Sequence, residues 1–213
     1  MERQLVVADD VAEEALGVFL GAAPRTLLLS GGSTPETLYN LLSGIEYPWE
    51  EVEFFFGDER CVPRRDERSN LRMAKDALLS KVAGTTYAMD GERCDAEGYE
   101  RTLRRRFGDA IRFDLAMYGL GPDGHTASLF PGRPEVAVAD RWVVHVPEAG
   151  FEPFVPRISL TIPALSAARI GLFLVAGTDK REPLRKLLAG EDLPAARLVP
   201  ERLMIVADRA AAP

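Results

Sequence analysis

Short apolar runs along the chain alternate with longer segments in which apolar residues return every three or four positions. The run QLVVAD at 4–9 has the length and composition of a strand, and DDVAEEALGVFL at 9–20 carries its apolar residues on one helix face. The same alternation continues to the end of the chain. Strands are predicted at 4–9, 25–30, within 50–59, and at 113–120, 141–146, 157–162, 170–177 and 203–208, and helices at 9–20, 35–42, 69–82, 95–107 and 178–190.

Alternating strands and helices imply crossover connections and therefore a mostly parallel sheet. The sequence contains no linker, repeat or low-complexity segment, and the Pro-rich stretch 147–156 is predicted to be a loop. Residues 1–213 are therefore predicted to form one doubly wound, Rossmann-like α/β domain. In such sheets a ligand binds outside the carboxyl ends of the strands, so the residues that follow each strand are the candidates for function.

The loop after the second predicted strand, SGGSTP at 30–35, has the character of an anion site. Gly31 and Gly32 let the backbone approach a ligand closely, and Ser33 or Thr34 is placed to cap the next helix. Free N–H groups and the helix dipole favour phosphate at such a position. The spacing is not that of a Walker A loop.

Charged residues also stand at strand ends. Asp58, Glu59 and Arg60 come directly after FFFG, where charged side chains are poorly placed for packing and well placed for a ligand. Lys180 lies at a later strand-to-helix junction, and Arg157 begins the strand RISLTI. An ammonium group at that junction can pair with a phosphate bound in the glycine loop, and Arg157 is a second candidate for the same crevice.

The loop GLGPDGHTAS at 119–128 is the most informative one. Gly119, Gly121 and Gly124 match the G-x-G-x-x-G pattern, so a dinucleotide site has to be considered. Three observations count against it. The match lies in the middle of the chain, Asp123 would face the pyrophosphate, and the next strand ends without an acidic residue to hold a ribose. The loop is therefore predicted to present side chains instead.

Asp123 and His125 lie two residues apart in this loop. A carboxylate can orient an imidazole or stabilise its protonated form, and an unperturbed histidine titrates near pH ~6.5, within the working range of a general base. His145, the other histidine of the chain, alternates with apolar neighbours in WVVHVP and is predicted to be a structural strand residue. Imidazole chemistry is therefore predicted at His125.

Composition narrows the function further. The chain has 26 Lys and Arg against 33 Asp and Glu, and a net charge of −7 disfavours non-specific nucleic-acid binding, which depends on neutralising phosphates. Cys61 and Cys94 lie far apart in sequence and are predicted to be reduced, forming neither a disulfide framework nor a Cys/His metal site of the usual spacing. The N-terminus does not have the pattern of a signal peptide, and no apolar run approaches a membrane span. A cytoplasmic protein without a membrane or nucleic-acid partner is predicted.

Together these segments resemble the 6-phosphogluconolactonases, in family order across residues 27–184. The matching pieces are LLLSGGSTP, FFFGDERCVP with SNLRMA, FDLAMYGLGPDGHTASLFPG, PRISLTIPAL and LFLVAGTDKREPL. That family is similar in fold to the glucosamine-6-phosphate deaminases. The resemblance implies hydrolysis of 6-phospho-D-glucono-1,5-lactone in the oxidative pentose phosphate pathway, by a monomer or small homo-oligomer that needs no cofactor and no metal.

The resemblance also implies roles for the candidate residues. The phosphate is expected on the backbone of residues 31–34, with Lys180 and Arg157 as counter-charges. Neutral His125 is expected to take a proton from the water that attacks C1, supported by either Asp123 or Asp58. Arg60 is expected to stabilise the oxyanion or to bind substrate oxygens.

Two sites separate this family from the deaminases. The deaminases carry Asp-Glu-Tyr where this chain has DER at 58–60, and an acidic residue in an Asn-Glu-Pro sequence where this chain has SLFP at 128–131. Without that acid the proton transfers of amino-sugar isomerisation lose a partner. A sugar-phosphate isomerase or deaminase, a non-catalytic sugar-phosphate sensor and a dinucleotide enzyme remain as alternatives.

Overall fold

A seven-stranded, all-parallel sheet forms the centre of the computed structural model, which describes residues 2–213. In chain order the strands are β1 (Glu2–Ala8), β2 (Thr26–Leu29), β3 (Glu53–Phe56), β4 (Asp58–Arg60), β5 (Thr85–Thr86), β6 (Phe113–Tyr118), β7 (Val143–Val146), β8 (Arg157–Leu160), β9 (Ala168–Val175) and β10 (Arg202–Asp208). The central sheet has the order β1-β10-β9-β6-β2-β3-β5. The predicted mostly parallel α/β fold is therefore confirmed.

Six α-helices connect and flank the strands. They are α1 (Val11–Ala22), α2 (Ser33–Leu42), α3 (Asn70–Ala74), α4 (Ala96–Phe107), α5 (Ile162–Ser166) and α6 (Arg181–Ala189). Helix α1 begins where Asp10 accepts hydrogen bonds from the N–H groups of Ala12 and Glu13, at 2.8 and 3.1 Å. Within the described part of the chain, no helix is both long and apolar enough to cross a membrane.

The chain reverses its direction of travel across the sheet between β2 and β6. From β2 it proceeds outward to β3 and β5, then returns to place β6 beside β2 and continues to β9 and β10. The two central strands are joined at their amino ends by Asp114, whose Oδ2 accepts from the N–H groups of Arg25 and Thr26, both at 2.9 Å. Such a switch point opens a crevice at the carboxyl ends of the strands, where ligands bind.

The central strands are buried on both faces, as their nearly continuous apolar runs predict. Leu28, Leu115 and Phe173 are fully buried in strands β2, β6 and β9. This packed layer fixes the strand ends, so the loops that follow them have rigid starting points. The core therefore determines where the residues of the crevice lie.

Two predicted strands, 141–146 and 157–162, and the end of the strand predicted within 50–59 do not belong to the parallel sheet. Strands β4, β8 and β7 form a separate antiparallel sheet in that order. The third predicted strand is interrupted at Gly57, whose N–H bonds to the Leu29 carbonyl (3.0 Å) in the central sheet and whose carbonyl accepts from Leu160 N–H (2.8 Å) beside the small sheet. The prediction of a single sheet was wrong, because the chain leaves the central sheet at Gly57 and enters the small antiparallel sheet at Asp58.

One predicted helix cap is wrong, and the cap predicted at Ser69 or Asn70 is confirmed at Ser69. The predicted cap by Ser33 or Thr34 is wrong, because α2 already begins at Ser33 and Gly32 occupies the cap position with no side-chain hydrogen bond. In the predicted helix 69–82, Ser69 is the cap and accepts from Arg72 N–H at 3.2 Å. That helix widens into a π-helical turn over Lys75–Leu79.

The prediction of two reduced, separate cysteines is also wrong. Cys61 and Cys94 form a disulfide, with Cα atoms 5.0 Å apart. Their separation of 33 residues conceals this contact in the sequence. Cys61 follows β4 directly, and Cys94 lies in the turn before α4, so tertiary packing alone brings them together.

Candidate active site

A cavity of about 300 Å³ opens at the switch point, between the loops that follow β2 and β6 and the small sheet. Nine of the ten predicted site residues line it: Gly31, Gly32, Ser33, Thr34, Asp58, Arg60, His125, Arg157 and Lys180. The tenth, Asp123, is hydrogen-bonded to His125. The fold therefore gathers residues from five separate segments of the chain into one crevice.

One end of the cavity is the N-terminus of α2. Ser33 and Thr34 lie in its first turn, where backbone N–H groups have no partner within the helix. The preceding loop is held by Tyr39, whose hydroxyl both accepts from Ser30 N–H and donates to the Ser30 carbonyl, each at 2.9 Å. Burial raises the pKa of Tyr39 well above its usual value, so the hydroxyl keeps its proton. This end of the cavity presents fixed N–H groups and a positive dipole end to an anion.

Lys180 supplies a full positive charge to the same cavity. It closes a short 3₁₀ turn over Thr178–Lys180, directly before α6. Its Nζ lies 3.0 Å from Asp179 Oδ2, and the side chain is 24% exposed. An ammonium group that is paired only with a more exposed carboxylate remains available to a phosphate.

The Asp123–His125 pair occupies the loop after β6. Asp123 Oδ1 lies 2.5 Å from His125 Nδ1 and also accepts from the backbone N–H of His125 at 3.1 Å. Burial alone would raise the pKa of Asp123, but the hydrogen bonds from His125 and the charge of its protonated form outweigh burial and hold that pKa below its usual value. Because a carboxylate can only accept, Asp123 favours the tautomer of neutral His125 that has its proton on Nδ1 and its lone pair on Nε2.

Packing fixes the His125 ring. The ring contacts Phe130 and Phe151, with centroid distances of 4.7 and 5.9 Å. On its other side it lies against the backbone of Gly121, where any Cβ would overlap the ring. No helix follows this loop as a dinucleotide fingerprint requires; a bridge between Thr126 and Leu129 follows instead.

Asp58 lies at the buried side of the cavity and is not bonded to His125. Its Oδ2 accepts from Ser128 Oγ at 2.6 Å, and Asn70 Nδ2 lies 3.2 Å from its Oδ1. Arg157 Nη1 lies 4.0 Å from Asp58 Oδ2. Of the two carboxylates that sequence reasoning left open, Asp123 is the one that contacts the imidazole.

Two arginines bring further donors to the cavity. Arg157 is almost fully buried, and its Nη2 donates to the Pro153 carbonyl at 2.8 Å. Burial lowers the pKa of Arg157, and the charge of Asp58 partly restores it. Arg60 Nη1 donates to the Arg68 carbonyl at 2.6 Å, while its buried Nε finds no hydrogen-bond partner among the described residues. The Nε of Arg157 is likewise without a partner among the described residues, and both arginines line the cavity.

Glu59, the middle residue of the DER segment, does not line the cavity. Glu59 is buried, and its carboxylate accepts from the N–H groups of Asn70 and Leu71 at 2.8 and 2.7 Å. Burial raises the pKa of Glu59, with these backbone bonds acting in the opposite direction. Side chains alternate along β4, so Glu59 holds the start of α3 while Asp58 and Arg60 line the cavity.

Sequence reasoning assigned no site role to Asn70 and Ser128. Both are buried and bonded to Asp58. Each stands inside a segment that carried the family resemblance, SNLRMA and DGHTASLFPG. Because polar groups that lose water need a hydrogen-bond partner, the burial of Asp58 accounts for the two polar side chains beside it.

Known proteins share this arrangement of elements. The family model described as glucosamine-6-phosphate isomerases/6-phosphogluconolactonase matches residues 4–206. The chain belongs to this family. Among its relatives, the 6-phosphogluconolactonase of Synechocystis sp. is 42% identical over 178 residues, which cover 78% of this chain and 72% of the relative. The 6-phosphogluconolactonase of Thermotoga maritima is 36% identical over 175 residues, covering 79% and 77%.

Solved structures of the family confirm the fold. The crystal structure of the Thermotoga maritima 6-phosphogluconolactonase superposes with a TM-score of 0.85 at 30% identity, covering 98% of this chain and 99% of that one. A monomeric glucosamine-6-phosphate deaminase has a TM-score of 0.81 at 20% identity, which shows a shared fold alone. The family resemblance stated from the sequence is therefore confirmed.

Proposed function

We propose that the protein hydrolyses 6-phospho-D-glucono-1,5-lactone to 6-phospho-D-gluconate, in the oxidative pentose phosphate pathway. The observation that carries this proposal is the Asp123–His125 pair, which leaves one imidazole nitrogen free at a cavity whose other end is suited to phosphate. The relatives named 6-phosphogluconolactonase support it.

Phosphate binding positions the substrate. The N–H groups of Ser33 and Thr34 and the ammonium group of Lys180 face the same end of the cavity. A dianionic phosphate there gains charge-assisted hydrogen bonds and the helix dipole. Because the phosphate is remote from the reacting carbon, its binding energy serves to hold the lactone carbonyl near His125.

The chemical step needs a base and later an acid, and His125 serves as both. Its Nε2 takes a proton from water while the water oxygen attacks C1, and the carbonyl π electrons move onto the oxygen. Asp123 stabilises the imidazolium that forms. When the C1–O5 bond breaks, the imidazolium returns the proton to the ring oxygen, and the new carboxylic acid loses its own proton to solvent.

Arg60 stabilises the negative oxygen of the tetrahedral intermediate. Arg60 lines the cavity, so its guanidinium group can donate to a developing oxyanion. Arg157 is tied to the Pro153 carbonyl and lies next to Asp58, so its guanidinium is fixed before substrate binds. Fixed donors cost little reorganisation when charge develops, which is the condition for large electrostatic stabilisation.

The test is a hydrolysis assay with freshly generated lactone, corrected for spontaneous hydrolysis. We expect His125→Ala to lower kcat by about 10²–10⁴-fold, the usual worth of one general base. Its affinity for 6-phosphogluconate, measured by calorimetry, should stay close to wild type, since the phosphate end is intact. Wild-type turnover in His125→Ala would refute the role of the base. Release of ammonia from glucosamine 6-phosphate, without lactone hydrolysis, would assign the deaminase reaction instead.

A further inference from the structure

A second group of chemically reactive side chains lies outside the cavity. The sulfur atoms of Cys61 and Cys94 and a ring nitrogen of His145 all lie within 4.8 Å of one another. These are both cysteines of the chain and one of its two histidines. None of the three lines the cavity that holds His125. We propose that Cys61, Cys94 and His145 form a zinc-binding site when the two cysteines are reduced.

The small antiparallel sheet positions two of the three ligands. Cys61 follows β4 directly, and its N–H donates to the Pro156 carbonyl at 2.8 Å. His145 lies on β7, two strands away across β8. Glu59 and His145 both pair with Ile158 of β8, so their side chains lie on the same face of this sheet. Cys61 follows Glu59 by two residues and therefore lies on that face as well. The His145 side chain is exposed, so a metal ion can reach it from solvent.

A tight turn brings in the third ligand. Cys94 N–H bonds to the Gly91 carbonyl at 3.3 Å, and Asp95 N–H bonds to the Asp90 carbonyl at 3.1 Å. The turn is pressed against the end of β4, since a Cβ at Gly91 would overlap the Arg60 carbonyl. Cys94 itself has φ +52°, a left-handed conformation that directs its side chain out of this turn toward Cys61.

The donor set matches zinc better than other common cations. Zinc takes thiolate sulfur at about 2.3 Å and imidazole nitrogen at about 2.0–2.1 Å in tetrahedral geometry, which separates neighbouring ligand atoms by roughly 3.5–3.8 Å. The three ligand atoms lie within 4.8 Å of one another while the disulfide is formed, and reduction removes the bond that holds the two sulfurs closer together than this geometry requires. Magnesium and calcium prefer oxygen ligands, whereas two sulfurs and one imidazole favour zinc. Three protein ligands leave the fourth position to water.

The disulfide and the metal site exclude each other. In the structure the two sulfurs are bonded, so neither is a thiolate. A dithiol reductant exchanges with the disulfide and leaves two thiols on this chain while becoming a disulfide itself. Zinc then binds with loss of two protons to solvent, and His145 binds as the neutral imidazole. The site is therefore predicted to bind zinc only under reducing conditions.

The experiment uses the full chain, reduced with a phosphine, stripped with a chelator and titrated with Co²⁺ without oxygen. We expect one Co²⁺ per chain, with thiolate-to-cobalt charge-transfer absorption and the visible bands of a tetrahedral site, both lost when Zn²⁺ is added. The oxidised chain should give neither signal. Absence of the charge-transfer band in the reduced wild type would overturn the proposal.

Two histidine variants form a matched pair for this titration. His145→Ala should keep the thiolate band but weaken Co²⁺ binding by more than 10-fold, since loss of an outer partner of a metal ligand already costs 10–100-fold. His125→Ala removes the other histidine and should leave Co²⁺ binding unchanged. The reverse pattern would assign the metal to the Asp123–His125 cavity and overturn the proposal.

A second measurement uses the wild-type chain alone, because substituting either cysteine could weaken the fold as well as the metal site. Alkylation of the reduced cysteines by iodoacetamide is timed with and without equimolar Zn²⁺. We expect zinc to slow alkylation of Cys61 and Cys94 at least 10-fold, because a metal-bound thiolate is a poorer nucleophile than a free one. Equal rates with and without zinc would contradict the site.

Discussion

Replacing Asp123 with asparagine isolates the contribution of one charge to the proposed reaction. In the structure Asp123 Oδ1 contacts His125 Nδ1 at 2.5 Å and the His125 N–H at 3.1 Å. Asparagine keeps the size of the side chain but removes the charge. Its amide group can also donate to Nδ1, which would place the histidine proton on Nε2 and abolish the lone pair that the base needs.

The size of the effect follows from the charge that develops in the reaction. A carboxylate and an imidazolium in contact have charge centres about 4 Å apart, and they attract by about 4 kcal/mol at an effective dielectric constant of about 20. The two side chains are 18% and 34% exposed, so solvent reduces this value. A remaining energy of about 3 kcal/mol corresponds to roughly 10²-fold in kcat, with a wrong tautomer adding up to about another tenfold.

The assay follows lactone hydrolysis by pH-stat at a pH where spontaneous hydrolysis is slow. We expect Asp123→Asn to lose kcat by the factor above with KM within a few-fold of wild type, because the phosphate contacts are untouched. Asp140→Asn is the matched control, since Asp140 is 73% exposed, pairs with Arg141 and lies outside the cavity. A kcat for Asp123→Asn within fivefold of the control would refute the reasoning.

Three further predictions test the phosphate end, the histidine loop and the strand pairing. Lys180→Ala should raise KM about 10-fold or more with a smaller change in kcat, whereas Lys186→Ala, on the solvent side of α6, should change neither; equal KM values would remove Lys180 from the phosphate site. Gly121→Ala should lower kcat at least 10-fold by displacing the His125 ring while leaving thermal stability within a few degrees of wild type, and an unchanged kcat would contradict the close packing. Burial alone would raise the pKa of Asp114, but hydrogen bonds hold it below the ordinary value of 3.8. The carboxylate therefore stabilises the fold above pH 3.8, and this stabilisation is lost as the pH falls through the folded pKa. Asp114→Asn should therefore unfold in urea about 1–2 kcal/mol more easily at pH 7, with a gap that narrows below about pH 4; a gap independent of pH would count against the charge.

Much of the architecture follows from local patterns. FDLAMYGL is apolar at nearly every position, which predicts a strand buried on both faces, and β6 is such a strand at the centre of the parallel sheet. The helix predicted at 95–107 begins at its Asp95 cap, whose side chain accepts from Gly98 N–H at 2.7 Å. These features depend on neighbours a few residues apart, so the sequence shows them directly.

The same local patterns do not predict the small antiparallel sheet of β4, β8 and β7. WVVHV and RISLTI alternate or run apolar in a way that suits either a parallel or an antiparallel sheet. They form a separate sheet because β8 pairs with β4 and β7, directly after Gly57, where the chain bonds to Leu29 on one side and Leu160 on the other. Pairing between distant strands is a long-range choice, and the hydrophobic pattern of one strand does not encode its partner.

The residues of the candidate site were predictable from the sequence, but their contacts with one another were not. The residue types after each strand, together with the rule that ligands bind at carboxyl strand ends, were sufficient to nominate the residues that line the cavity. The choice between Asp123 and Asp58 as the partner of His125 depends on the tertiary structure, in which Asp58 is instead bonded to Ser128. Both carboxylates follow a strand at the same edge of the sheet, and only the distances separate their roles.

By itself, the sequence determined the α/β class, the order of most elements, the family and the residues of one crevice. These follow from periodicity and from motifs whose members lie within about ten residues of one another. The tertiary structure alone decided the second sheet, the Asp123–His125 contact and the convergence of Cys61, Cys94 and His145. The physical reason is that such contacts join segments far apart in the chain, and their geometry is set by how the whole core packs rather than by any local preference.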